Sequence, residues 1–135
     1  VIKDTVTHNQ IEKLVDFIGW IKESDIPNYL SITKLGLSPL HKNIHHDTTY
    51  ANKVFQYISI GCPVVSSNVI AQSELVKKYK IGVIFEDNNV IDLSDKIIEL
   101  HNDKNLYSRL KQNCLDSIEK LNNSVISNQL ISIYE

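Results

Sequence analysis

Sulfur-containing residues are scarce in this 135-residue sequence, which has no methionine and only two cysteines. Cys62 and Cys114 stand far apart in no metal-ligand spacing, which excludes a zinc-site or disulfide-scaffold protein. The sequence has no signal-peptide pattern, so we expect a cytoplasmic protein with reduced thiols. Since it opens on Val1 without a methionine, we also expect it to be a piece of a longer protein.

Long runs of one kind of residue are also missing. The 14 basic and 16 acidic residues are interspersed and give a net charge of −2, so no nucleic-acid partner is expected. No apolar stretch reaches the roughly 18 residues that a membrane-spanning helix needs. Internal repeats are absent, and so are the glycine-rich dinucleotide motif, the P-loop and the nucleophile elbow. These absences exclude the enzyme classes that depend on those motifs.

What remains is a globular composition, 42% hydrophobic and 22% charged, in which short apolar runs alternate with helical periodicity. The pattern predicts strands near residues 14–20, 35–40, 63–66 and 81–85. It predicts helices near residues 24–32, 51–60, 72–79, 89–100 and 103–118, and a further one around Leu130 and Ile133. Residues 41–49 have no hydrophobic period and are predicted to be a loop. Strands that alternate with helices predict one α/β domain with a Rossmann-like, mostly parallel sheet, helices on both faces and a helical C-terminal tail.

Ligands of open parallel sheets bind at the carboxyl ends of the strands. The segment after Pro39 is the richest of these ends, because it is polar and leads into the helix that starts near Tyr50. The first N–H groups of that helix favour an anion such as phosphate. Lys53 and Gln56, one turn apart, could then meet a phosphate and a hydroxyl group. The alternative is that both simply belong to the solvated face of an amphipathic helix.

Three other groups of residues carry weaker signals. His41, His45, His46 and Asp47 contain metal-ligating side chains, yet adjacent histidines point in different directions and no second cluster completes a site, so we expect a polar loop and no metal. His41 could touch a ligand or be solvated. The turn formers at 66–68 fit a ligand contact and a plain turn equally. Cys62 is expected to be a small buried side chain.

Four segments of the sequence resemble a known family. In order they are DFIGWIKESDIPNYL, LGLSPLHKN, TTYANKVFQYISIGCPVVSSN and ELVKKYKIGVIFEDNN. Together they resemble the C-terminal, nucleotide-sugar-binding half of GT-B glycosyltransferases of the retaining family 4 type. The likeness covers about residues 14 to 120 and is most specific at Ala51 to Val65, which is similar to the family motif P-N-K-hydrophobic-aromatic-E-Y-x-x-x-G-x-P-V-V.

The resemblance implies a nucleotide-sugar donor, a UDP- or GDP-sugar, and no cofactor or metal. It places Lys53 and the start of its helix against the diphosphate and Gln56 against the ribose. Thr48 and Gln56 occupy the positions of a glutamate pair that is frequent in the family, and neither is acidic. Catalytic residues are left unassigned. The donor-binding residues implied in this way are Ser38, Thr48, Thr49, Asn52, Lys53 and Gln56.

The resemblance also implies partners outside the sequence. An N-terminal acceptor-binding domain is missing, so the chain alone is expected to be inactive in polysaccharide or glycoconjugate synthesis. The full-length enzyme could associate peripherally with a membrane, and an uncovered sheet edge would favour self-association. The alternative function is a degenerate, non-catalytic module that binds a nucleotide or a partner chain. A nucleotide-sugar 2-epimerase shares the fold, but the carboxylate or histidine set that it would use is not found.

Overall fold

The computed structural model describes residues 1–121. Its helices are α1 Ile2–His8, α2 Ile26–Ser31, α3 Ile44–Thr48, α4 Asn52–Ser59, α5 Ile70–Tyr79, α6 Val90–Asn102 and α7 Lys104–Leu121, with short 3₁₀ turns at Glu12–Leu14 and Glu23–Asp25. Its strands are β1 Gly36–Ser38, β2 Val64–Ser67 and β3 Gly82–Phe85. From β1 onward, at least one helix therefore separates each strand from the next.

The three strands form one parallel sheet in the order β1-β2-β3. The helices between them serve as crossovers, as parallel pairing requires. Gly82 lies opposite Val64 in the ladder, and a Cβ atom at this glycine would overlap the Val64 carbonyl oxygen. The β2–β3 pairing therefore depends on the missing side chain.

Helices cover both faces of the sheet because successive side chains of β2 point to opposite sides. Val64 belongs to the α4/α5-face cluster, with Val54, Ile58, Leu75, Val76, Ile81 and Cys114. Val65 belongs to the α6-face cluster, with Phe85, Leu100 and Leu110. The helix α7 contributes Cys114 to the first cluster and Leu110 to the second. The prediction of a Rossmann-like parallel sheet with helices on both faces is confirmed.

Several local signals in the sequence produced the predicted elements. The buried stripe of α4 contains Val54 and Ile58. Gly61 follows this helix at φ +69°, a left-handed conformation in which glycine is free of strain. The side chain of Asn89 accepts the Asp92 N–H at the start of α6, and Asp103 accepts the Leu106 N–H near the start of α7. Both caps are of the predicted kind.

Two predictions were wrong, and one lies outside the described residues. Residues 14–20 do not form a strand: Leu14 ends a 3₁₀ turn, and Trp20 is 86% exposed, whereas a parallel strand is buried on both faces. The predicted loop at 41–49 contains α3, because Asn43 caps it by accepting the His46 N–H at 2.8 Å. The predicted helix around 130–133 falls beyond residue 121. None of the helices in residues 1–121 is long and apolar enough to cross a membrane.

Candidate functional site

The chain from residue 39 to residue 51, here called the β1–α4 connection, crosses the carboxyl end of the sheet. It is tied to β2 and to the segment that follows β3. The Leu40 N–H donates to Ser67 Oγ at 3.0 Å, and the Ser67 hydroxyl donates to the Leu40 carbonyl at 2.6 Å. Asp87, after β3, accepts from Lys42 N and His41 Nδ1, both at 2.9 Å. The segments that follow the three strands therefore meet, as the parallel topology predicted.

The start of α4 is the place in this connection that suits an anion. The helices α3 and α6 have asparagine side chains that accept their first N–H groups. The N-cap residue of α4 is Ala51, which has no polar side chain to do so. The ring of Tyr50 packs edge-on against Phe55 with centroids 5.9 Å apart and holds the chain at this entrance. The Val54 N–H donates to the Ala51 carbonyl at 2.9 Å, and no side chain at the N-cap accepts from the N–H groups of Asn52 and Lys53, which can meet an acceptor from outside the helix.

Three predicted donor-binding residues lie on α4. Asn52 and Gln56 are exposed, and Lys53 is half-buried. Burial lowers the pKa of the Lys53 ammonium, because removing water disfavours its charged form. A partly desolvated ammonium gains more from a bound phosphate than a fully hydrated one does. The helix thus brings a cation and two amide side chains to its own N-terminal half.

The two threonines lie immediately before α4, and their hydroxyl protons are already engaged. Thr48 Oγ1 donates to the Ile44 carbonyl at 2.7 Å, and Thr49 Oγ1 donates to the His45 carbonyl at 2.7 Å. Each oxygen still has lone pairs that can accept a hydrogen bond. In this arrangement the threonine side chains can accept from a ligand hydroxyl more readily than they can donate to a phosphate.

Ser38, the sixth predicted donor-binding residue, lies apart from the others. It is fully buried at the end of β1, and its hydroxyl donates to Gln72 Oε1 at 2.7 Å. Gln72 is also fully buried, and its Nε2 has no hydrogen-bond partner within residues 1–121. The Ser38 side chain therefore joins β1 to α5 inside the domain.

Asp87 has a carboxylate with a shifted pKa at this end of the sheet. The Lys42 N–H, and then the His41 side chain, lower the pKa of Asp87 below its ordinary value. A cleft of about 190 Å³ lies beside this pair, between His41 and the start of α6. His41 is thus held by a carboxylate at the rim of a small cleft.

Within residues 1–121, the cysteines and histidines show no grouping that would hold a metal. Burial raises the pKa of the Cys62 thiol to about 11 and that of Cys114 to about 12, so both stay protonated at neutral pH. Cys62 is buried, as expected of a small apolar side chain. Across the described part of the chain, no three His, Cys, Asp or Glu side chains come together as a metal ion would require.

Sequence reasoning missed two carboxylates that hold the connection. Asp47 Oδ1 accepts the Ile70 N–H at 2.9 Å and so caps α5 from 23 residues away. Asp87 was not singled out at all. The available signal was their position in polar stretches of the sequence, Asp47 between β1 and α4 and Asp87 between β3 and α6.

The chain is similar to known proteins both in sequence and in fold. A sequence model of the family described as Glycosyl transferases group 1 matches residues 1–115. A Bacillus subtilis (strain 168) protein that carries the name teichuronic acid biosynthesis glycosyltransferase TuaH is 22% identical over 101 residues. That match covers 73% of this chain and 25% of the relative, so the chain spans about a quarter of the relative's length.

Two solved structures share the fold. The C-terminal domain of the glycosyl transferase group 1 family protein LpcC from Francisella tularensis superposes with a TM-score of 0.74 at 20% identity, over 89% of this chain and 60% of that one. Sucrose-phosphate synthase from Thermosynechococcus elongatus superposes with a TM-score of 0.83 at 19% identity, over 98% of this chain and 32% of that one. At these identities the likeness shows a GT-B type of fold.

Proposed function

Since the chain belongs to the glycosyl transferases group 1 family, we propose that it is the nucleotide-sugar donor-binding part of a retaining GT-B glycosyltransferase. The family match over residues 1–115 is the observation that carries the proposal. The position of the uncapped start of α4, at the carboxyl end of a parallel sheet, supports it. The chain alone is expected to bind a donor without transferring its sugar.

The chemistry assigned to the site is stabilisation of a leaving nucleoside diphosphate. Lys53 and the first N–H groups of α4 would offset the negative charge that develops as the bond to the sugar breaks. The Gln56 amide would hold a ribose hydroxyl, and Thr48 would accept from a hydroxyl of the sugar or ribose. The proposed donor is a UDP- or GDP-sugar, and no metal or cofactor is assigned.

The setting of this activity is proposed from a relative. TuaH is named for teichuronic acid biosynthesis, which supports a role in the synthesis of a polysaccharide or glycoconjugate. We place the acceptor in a second domain of the full-length enzyme and the reaction in the cytoplasm, where activated sugars would be the donors. Peripheral membrane association would belong to that full-length enzyme.

A titration of the chain with UDP, GDP and ADP, followed by two-dimensional amide NMR, tests the donor site. We expect saturable chemical-shift changes at residues 48–56. The nucleotide that binds most tightly identifies the base of the donor. Lys53→Ala should weaken binding about tenfold, the effect of losing one charge-assisted hydrogen bond. Lys77→Ala removes an equal charge from the exposed side of α5 and should leave the affinity unchanged.

The result that contradicts the proposal is a well-dispersed spectrum that none of the three nucleotides shifts. That outcome favours the non-catalytic module, for which the absence of carboxylates at Thr48 and Gln56 is the supporting observation. Equal weakening by Lys53→Ala and Lys77→Ala would indicate unspecific attraction of anions to the surface and would also contradict the proposed site.

A further inference from the structure

The β1–α4 connection is held on one side by residues that follow β2 and β3. Asp87 uses both carboxylate oxygens: Oδ1 accepts from His41 Nδ1 and Oδ2 accepts from the backbone N–H of Lys42. These bonds join positions 46 and 45 residues apart in the sequence. The backbone N–H of Asp87 donates to Asn68 Oδ1 at 3.0 Å, so the carboxylate is itself anchored to the segment after β2.

Nearer to α4, the connection is held by a second carboxylate, that of Asp47. Asp47 Oδ1 accepts the Ile70 N–H, which fixes α3 to the start of α5. Between these two anchors lie Asn43 to His46, and directly after them come Thr48 and Thr49. Beyond the Leu40–Ser67 bonds, the connection that leads to the α4 entrance is therefore braced by two carboxylates, one bound to the chain before α3 and one within α3.

We propose that Asp87 is a positioning residue for the donor site: it locks His41 and Lys42 so that the start of α4 is held ready for the nucleotide. This inference rests on the proposed donor-binding function. It assigns no contact between Asp87 and the ligand. A preformed site binds more tightly because the ordering of the connection does not have to accompany binding.

The choice of a carboxylate follows from what it faces. Lys42 presents a backbone N–H, which can only donate, and the His41 ring brings a second nitrogen donor to the other carboxylate oxygen. An alanine side chain at position 87 can accept neither of these two hydrogen bonds. Asparagine accepts from Lys42 and can still donate its amide to a neutral His41 ring, because imidazole can expose an acceptor nitrogen.

The experiment compares the original chain with four variants at pH 8, by nucleotide affinity and by amide hydrogen exchange of residues 41–51 without nucleotide. Asp87→Ala is expected to bind roughly tenfold more weakly and to exchange faster, as for the loss of hydrogen bonds to a charged group. Asp87→Asn should recover most of the affinity, and His41→Ala should lose less than Asp87→Ala. The control, Asp95→Ala, removes an exposed carboxylate from α6 and should match the original chain.

The outcomes separate this proposal from the one on which it rests. If Asp87→Ala binds nucleotide like the original chain, or if its connection exchanges no faster, the positioning role is overturned. If the original chain binds no nucleotide, the donor-site proposal fails, while the exchange comparison still decides whether Asp87 holds the connection. If Asp87→Ala does not fold, the affinity and amide exchange of His41→Ala and Asp87→Asn are compared with those of the original chain to test the positioning role.

Discussion

Residues 1–35 and residues 36–121 differ sharply in how they use apolar side chains. In the first region Val6 is the one buried side chain, and Leu14 and Trp20 are more than four-fifths exposed. In the second region Val65 and Ile81 are fully buried in the two clusters. Because burial of apolar area drives folding, the stabilising free energy comes from the sheet and the helices that cover it. An apolar segment of the sequence is therefore not by itself part of the hydrophobic core.

The largest expected difference in stability between the two regions comes from substituting a glycine in each. Gly82→Ala drives a Cβ into the Val64 carbonyl and should destabilise the domain by about 3 kcal/mol, the upper range for overpacking. Gly19→Ala meets no neighbouring atom and suffers only its positive φ of +74°, which costs roughly 1 kcal/mol. Urea denaturation of both variants measures the difference, and equal losses would show that the two regions contribute alike.

A smaller effect is expected from two serines. Ser38→Ala leaves the buried Gln72 amide without its remaining partner, at a cost of about 1–3 kcal/mol. Ser31→Ala removes an exposed hydroxyl that donates to the Asn28 carbonyl and should change stability by less than about 0.5 kcal/mol. The same two variants test whether Ser38 belongs to the donor site. If Ser38→Ala folds normally but loses nucleotide affinity, Ser38 contacts the ligand and does not only stabilise the core.

The last effect is one of pH and comes from the two thiols, both of which lie in the second region. Both thiols have raised pKa values in the folded chain, so their contribution to stability is complete below the ordinary thiol pKa of 9.0 and is lost as the pH rises through about 11 for Cys62 and about 12 for Cys114. The urea midpoint should therefore fall across this interval. A variant with Cys62→Ala and Cys114→Ala should show a shallower fall, and an identical pH profile would mean that other groups cause it.

The sequence predicted the second region well, and in the first region it predicted the helix α2 correctly but a strand at 14–20 wrongly. The alternation of β1, α4, β2, α5, β3 and α6 was visible because buried strands and amphipathic helices leave different periods in the chain. LVDFIGW has the apolar letters of a buried strand, yet whether it is one depends on a neighbouring strand to pair with, which a local pattern cannot report. The short helix α3 was missed because it has a cap but no buried stripe.

The candidate site was predicted in part, for a similar reason. The position of Lys53 and Gln56 outside the buried Val54 and Ile58 stripe of α4 followed from helical spacing. The bonds from Asp87 to the connection, and from Ser38 to Gln72, join residues more than 30 positions apart. Such pairs depend on the order of the strands in the sheet. The local pattern of a single sequence does not report that order.

The helix α7 has a consequence for how the domain comes apart. Leu110 is inserted on one side of the sheet and Cys114, one turn later, on the other, while Asn113 Nδ2 donates to the Lys80 carbonyl at 2.8 Å. Detaching α7 uncovers both faces at once. The two halves of the core therefore share one cooperative opening event, and slowly exchanging amides on either side of the sheet should report the same opening free energy.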